Sequence, residues 1–270
     1  MGNFFLLCSL SAYGNSYLKN YDIKFELTNK TAEFCKEVKF IYWNKNMSNN
    51  EQKIVAENPN SWFKLLKEDH INFLRLEWIP SNDPEVNDWE DVLFANGGGR
   101  WLISANKGSF VDIWEAKSEV ISSDDEDNNW VVTVGRTTKN WKSQPQNTIT
   151  LEMCENNLEK SIKDIKAFAE NLSLNEFVHK FQKALDSLTD EKSPMLSSYY
   201  DDLLPKNIYS LKAEQIVTAC QNSWIFTPGP WYDIELETEE KYTQYEKLSE
   251  NLFSSINSAL ITAINSIWKH

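Results

Sequence analysis

Arginine and histidine are this chain's scarcest chemical resources: three of each in 270 residues. His70, His179 and His270 stand far apart, and the four cysteines (Cys8, Cys35, Cys154, Cys220) form no Cys-x-x-Cys pair. That excludes a readable zinc ligand set or disulfide framework. No histidine triad is present, and no serine or cysteine nucleophile has a placed base. An acidic helix for metal-assisted pyrophosphate hydrolysis is also missing, so an enzyme is not expected. Positive charge is short overall: Lys plus Arg total 27 against 40 acids, leaving −13 and a pI near 4.8. Such a balance excludes the broad cationic face that grips DNA or long RNA, but not a small anion held by a few local cations. No apolar run reaches membrane-spanning length. The opening "MGNFFLLCSLSAYG" has no cationic leader, and Leu6 stands where a myristoylation motif wants Ser or Thr. The expectation is a cytoplasmic protein with no membrane attachment and no cofactor.

Aromatic residues, by contrast, are plentiful. They make up 13% of the chain, with 11 tryptophans, and hydrophobic residues reach 41%, enough for a substantial core. The 24 lysines and 28 asparagines beside so few arginines point to an AT-rich coding sequence, of the kind found in some parasites and large viruses. Each retained arginine (Arg75, Arg100, Arg136) therefore invites a question.

Alternation of apolar and polar residues predicts strands at Tyr21–Leu27, Glu37–Trp43, Ile71–Ile79, Arg100–Asn106, Trp130–Arg136 and Asn147–Met153. Pro59, with Asn60 or Ser61 as cap, opens a helix carrying Trp62, Leu65 and Leu66 on one face. Phe110–Ile121 reads as an amphipathic helix. Leu158, Ile162, Ile165 and Phe168 recur at helical spacing. Beyond about residue 173 helices dominate. The pattern is α+β: a curved antiparallel sheet backed by helices, with a helical C-terminal extension. It divides as an N-terminal extension (1–36), an α+β core (37–175), and a mainly helical extension packed on the core (176–270).

The stretch "DWEDVLFANGGGRWL" concentrates two tryptophans, three acids, three consecutive glycines and one arginine. No GxxxxGK[ST] exists, so the glycine run is not that kind of phosphate loop; turn chemistry alone fits a hairpin equally well. Trp89-Glu90-Asp91 followed by Gly98-Gly99-Arg100-Trp101 resembles the central signature of the cap-binding translation initiation factor 4E family. The intervening loop is one residue longer than usual. "NSWFKLL" resembles the helix whose tryptophan, here Trp62, faces partner proteins. "FVDIWEAK" resembles the next dorsal helix, "WVVTVGR" the strand delivering a phosphate-binding arginine, and "MCENN" the lead into the third helix. The resemblance covers roughly 39–172.

That resemblance implies binding of 7-methylguanosine triphosphate, the cap of messenger RNA, and recruitment to a scaffold subunit through a helical docking motif. A methylated guanine is cationic, so a tryptophan face attracts it beyond stacking, and a carboxylate can accept both donors of its edge. The implied base-binding residues are Trp89 and Glu90, with Trp43 and Met47 as candidates for the second stacking position. Arg136, Lys139 and Lys142 would take the phosphates, although Arg136 sits one position later than the family pattern. Arg100 and Trp141 would support, Arg100 by holding Glu90 oriented. Read without the resemblance, Trp89 caps the core, Glu90 is solvated, and the basic loop is surface. No tryptophan stands at the depth of the family's first stacking residue, and Glu115 replaces a usual apolar contact on the partner face. The competing expectation is a module of the same fold that holds caps or nucleotides without supporting initiation.

Overall fold

A computed structural model describes residues 2–43, 52–83, 86–92, 98–120, 130–142, 149–191, 200–227 and 229–269. The chain opens with α1 (Gly2–Leu18), then β1 (Cys35–Tyr42), β2 (Lys53–Ala56), α2 (Pro59–Glu68), β3 (Phe73–Ile79), the one-turn α3 (Asp88–Asp91), β4 (Arg100–Lys107), β5 (Phe110–Val120) and β6 (Trp130–Lys142). Four helices follow: α4 (Leu151–Asn171), α5 (Asn175–Thr189), α6 (Leu211–Ser223) and α7 (Glu239–Ile264), closed by a 3-10 turn, Asn265–Lys269. The architecture is α+β, with a six-stranded mixed sheet backed by helices.

The sheet order is β2-β1-β6-β5-β4-β3. Neighbours pair antiparallel except β1 with β6, which run parallel. The expected all-antiparallel sheet is corrected at that point: the strand that follows β5 returns beside β1 in the same direction, a crossover that short hairpins cannot make. One sheet face carries Val38, Phe40, Leu74, Leu76, Ile103, Ala105, Trp114, Val132 and Val134, all buried in a single cluster with the helices. Cross-strand register puts Glu77, Leu102, Glu115, Gly135, Ile41 and Ile54 in one row on the opposite face.

The N-terminal segment is the centre of the core rather than an extension. Phe4 to Tyr13 are all buried, apolar and small polar residues alike, as expected of a helix hydrophobic around its circumference. Phe4 stacks on Trp224 and touches Trp101 at 4.4 Å, joining the C-terminal helices to the sheet. Gly14 packs where a Cβ would strike Leu74 and Phe63, so α1 lies directly on the sheet. Ser9 donates to the Leu203 carbonyl and receives Thr31, satisfying the polar groups that burial would otherwise penalise.

Three predicted elements change type. Tyr21–Leu27 is not a strand: the Asn60 amide serves Phe25 on both its N–H and its carbonyl, where a neighbouring strand would have done so. Phe110–Val120 is strand β5, not a helix; pairing with β4 and β6 along both edges overrides an apolar spacing that also fits a helical stripe. The resemblance to a dorsal helix fails there. The predicted strand at 147–153 is instead the start of α4, because the Thr150 hydroxyl accepts from the Met153 N–H and caps it; residues 147 and 148 lie outside those described. Helix α2 begins as predicted on Pro59, but Asn58 is the cap, accepting from the Ser61 N–H. No described helix is long and apolar enough to cross a membrane.

Candidate functional site

Trp89 is buried, 2% exposed. Its ring stacks on Tyr232 at 5.5 Å and meets the edges of Tyr245 and Phe226. The Tyr232 hydroxyl donates to the Trp89 carbonyl at 2.8 Å. Every face of the indole that a base would need is taken by the C-terminal aromatic cluster, so Trp89 is not available for stacking. The residue anchors α3 to the helical half instead.

Glu90 is half-buried beside Glu246 and Asp91. Burial is the main cause raising its pKa, the two carboxylates add to it, and a hydrogen bond from Asn87 opposes it. The expected support from Arg100 is absent: that guanidinium lies 3.4 Å from Glu115. Trp62, expected on a partner-facing surface, is 0% exposed. Phe40 stacks on it at 4.5 Å and Trp114 meets it edge-on at 5.4 Å. These corrections have two different causes. Trp89 is covered by aromatic residues from beyond the resembling region, Tyr232 and Tyr245, whereas Trp62 is covered from within it by the sheet's own Phe40 and Trp114.

Arg136 is engaged as well. Its Nη1 is 3.0 Å from Asp112 Oδ2, with both side chains largely buried, and its guanidinium lies 3.6 Å from the Tyr42 ring centroid. The other Asp112 oxygen accepts the N–H of Asn140, which is held at φ 53°. Asp112 thus fixes both the arginine and the irregular pairing of β5 with β6. A phosphate there would compete with a charge-assisted bond already made. Lys139 and Lys142 are exposed on β6, and Trp141 is 58% exposed beside them. Met47 lies outside the described residues.

Trp43 is where the structure gathers chemistry. It follows β1 on the outer sheet face, and its six-membered ring rests on Gly135, where any Cβ would collide with it. Lys117 Nζ stands 4.0 Å above the ring centroid. Two residues back along β5, Glu115 pairs across the sheet with Gly135. Its carboxylate accepts the Thr137 hydroxyl at 3.0 Å and lies 3.4 Å from Arg100. An aromatic ring, a cation over its face and a carboxylate oriented by a guanidinium therefore share one stretch of the outer face.

Sequence reasoning missed Lys117 and Thr137, and placed Glu115 on the partner face. The signal was available only through β5: once that segment is a strand, Glu115 and Lys117 alternate onto the same face and register carries them toward β1. Within the glycine run, Gly98 adopts φ +69° and Gly99 lies where a Cβ would strike Trp78 and the Ile79 carbonyl. That pair answers a packing need at the head of β4; Gly97 lies outside the described residues. Among the described residues no group of three His, Cys, Asp or Glu is placed to hold a metal ion. In comparisons with family models, curated proteins and solved structures, the chain matches none.

Proposed function

We propose that this protein is a cytoplasmic binding module for a methylated purine nucleotide of the messenger-RNA cap type, and that it binds on the outer sheet face at Trp43. The observation that supports this reading is the ammonium of Lys117 over the Trp43 ring, beside the oriented carboxylate of Glu115. A ring that already holds a cation offers cation–π attraction to 7-methylguanine, which carries positive charge itself. Glu115, held beside Arg100 and Thr137, offers carboxylate oxygens to the guanine edge. Lys139 and Lys142, exposed toward the same end of β6, supply charge for the phosphates.

The residues first expected to form the pocket take other parts in this reading. Trp89 is structural, and Arg100 keeps its supporting task but toward Glu115. Between translation initiation and simple sequestration, the burial of Trp62 favours sequestration, because a docking helix would find no tryptophan face there.

Titration with 7-methyl-GTP and with GTP, followed by tryptophan fluorescence, tests the proposal. Preferential binding of the methylated nucleotide, lost in Trp43→Ala and weakened in Glu115→Gln, is expected. Equal binding of both nucleotides, or binding indifferent to Trp43, would overturn it.

A further inference from the structure

Lys117 does more than mark the Trp43 ring as a cation site, since its ammonium stands over the ring where a stacked ligand would lie. The ring's Cε3 and Cζ3 lie against Gly135 of the sheet so closely that even a methyl group there would collide. Backbone pairing fixes both ends of the interaction. Lys117 lies in register with Thr133 on β6, and Tyr42, just before Trp43, lies in register with Arg136 on the same strand. The ammonium at 4.0 Å is thus delivered by one strand across another onto a ring packed against Gly135. Lys117 itself is exposed, so swinging its flexible stem into solvent costs little beyond the cation–π attraction.

We infer that Lys117 is an internal competitor for the Trp43 platform, an autoinhibitory lid of one side chain that every ligand has to displace. The inference rests on reading Trp43 as the platform. The competitor lowers the affinity of every stacking ligand by the same factor, because the attraction given up is Lys117's own and does not depend on what replaces it. An exposed cation–π pair corresponds to roughly a two- to five-fold change in a binding constant. Neutralising the lysine, by substitution or by acylation of its amine, opens the platform.

The test uses the full-length protein with Lys117→Gln, which keeps most of the stem and removes charge, and Lys117→Ala. Acrylamide quenching is measured in each with and without the additional change Trp43→Phe, so that the difference isolates Trp43. Binding of 7-methylguanosine and guanosine is then measured; nucleosides lack phosphates and so avoid any second role of the lysine. The expected result is a more accessible Trp43 in both lysine variants and tightening of both nucleosides by the same factor of roughly two to five. Unchanged Trp43 quenching overturns the competitor role even if the nucleosides bind. Raised quenching with no nucleoside bound by any variant upholds the lid and overturns the cap-ligand reading instead.

Discussion

Asn265 and Leu76 exchange a complete pair of amide hydrogen bonds. The Leu76 N–H donates to Asn265 Oδ1, and Asn265 Nδ2 donates to the Leu76 carbonyl, both at 2.9 Å. Asn15 does the same for Leu74, at 2.6 and 2.8 Å. Two asparagine side chains, one near each end of the sequence, thereby satisfy the outer edge of β3 at Leu74 and Leu76 in place of a seventh strand. An open edge invites pairing with another chain, and at Leu74 and Leu76 each asparagine covers it with one donor and one acceptor.

Replacing Asn15 with Leu is expected to leave two buried backbone groups without partners. Each such group costs about 1–3 kcal/mol, so the urea midpoint should fall markedly while the fold is kept. Asn265→Leu should cost less, being partly exposed. A midpoint unchanged in Asn15→Leu would show that the edge does not depend on the amide.

Trp89→Ala is expected to remove about 3–5 kcal/mol of stability, the range for a large ring lost from a packed core. Thermal melts report this. Under conditions where the variant remains folded, its affinity for 7-methyl-GTP should equal wild type; a selective loss of binding at full foldedness would return Trp89 to the site.

Glu90 has a raised pKa in the folded protein, because of burial first and then Glu246 and Asp91. A carboxyl that holds its proton more tightly when folded imposes no penalty below its unfolded pKa, near 4.5, and an increasing one as pH rises through the folded value. Glu90→Gln should therefore be more stable than wild type at pH 7, with the advantage shrinking toward pH 4. Paired denaturation curves at the two pH values check the sign. An advantage that grows on acidification would contradict it.

Breaking the pair of Arg136 and Asp112 should act on folding rather than on ligand. Asp112→Ala removes the partner of a largely buried guanidinium and the acceptor for Asn140, a loss of roughly 1.5–3 kcal/mol. Arg136→Lys keeps the charge but not the planar group over Tyr42, and should lie in between. Nucleotide affinity measured on the folded variants should not change. A large affinity loss would assign Arg136 to phosphate after all.

A pull-down with a tyrosine-and-leucine docking helix should recover no protein through Trp62. Recovery that disappears in Trp62→Phe would demand an opening of α2 away from Phe40 and Trp114.

Local chemistry in the sequence was sufficient for the α+β class, for β1, β3, β4 and β6, for α2 and α4, whose proline and spaced apolar residues act within a few turns of chain, and for the helical character of the chain beyond residue 173. It was also sufficient to single out Trp43, Arg100 and Arg136 as residues worth locating. Tertiary structure decided the rest, because burial and strand pairing are set by residues distant in sequence. The apolar stripe of Phe110–Val120 fits a helix until β4 and β6 claim its backbone. Trp89 reads as a loop platform until Tyr232 and Tyr245, more than a hundred residues later, close over it. Lys117 and Trp43 stand 74 positions apart and meet only because β6 lies between their strands. Side-chain identity was legible in the sequence, and which side chains face one another was fixed by the register of the folded sheet.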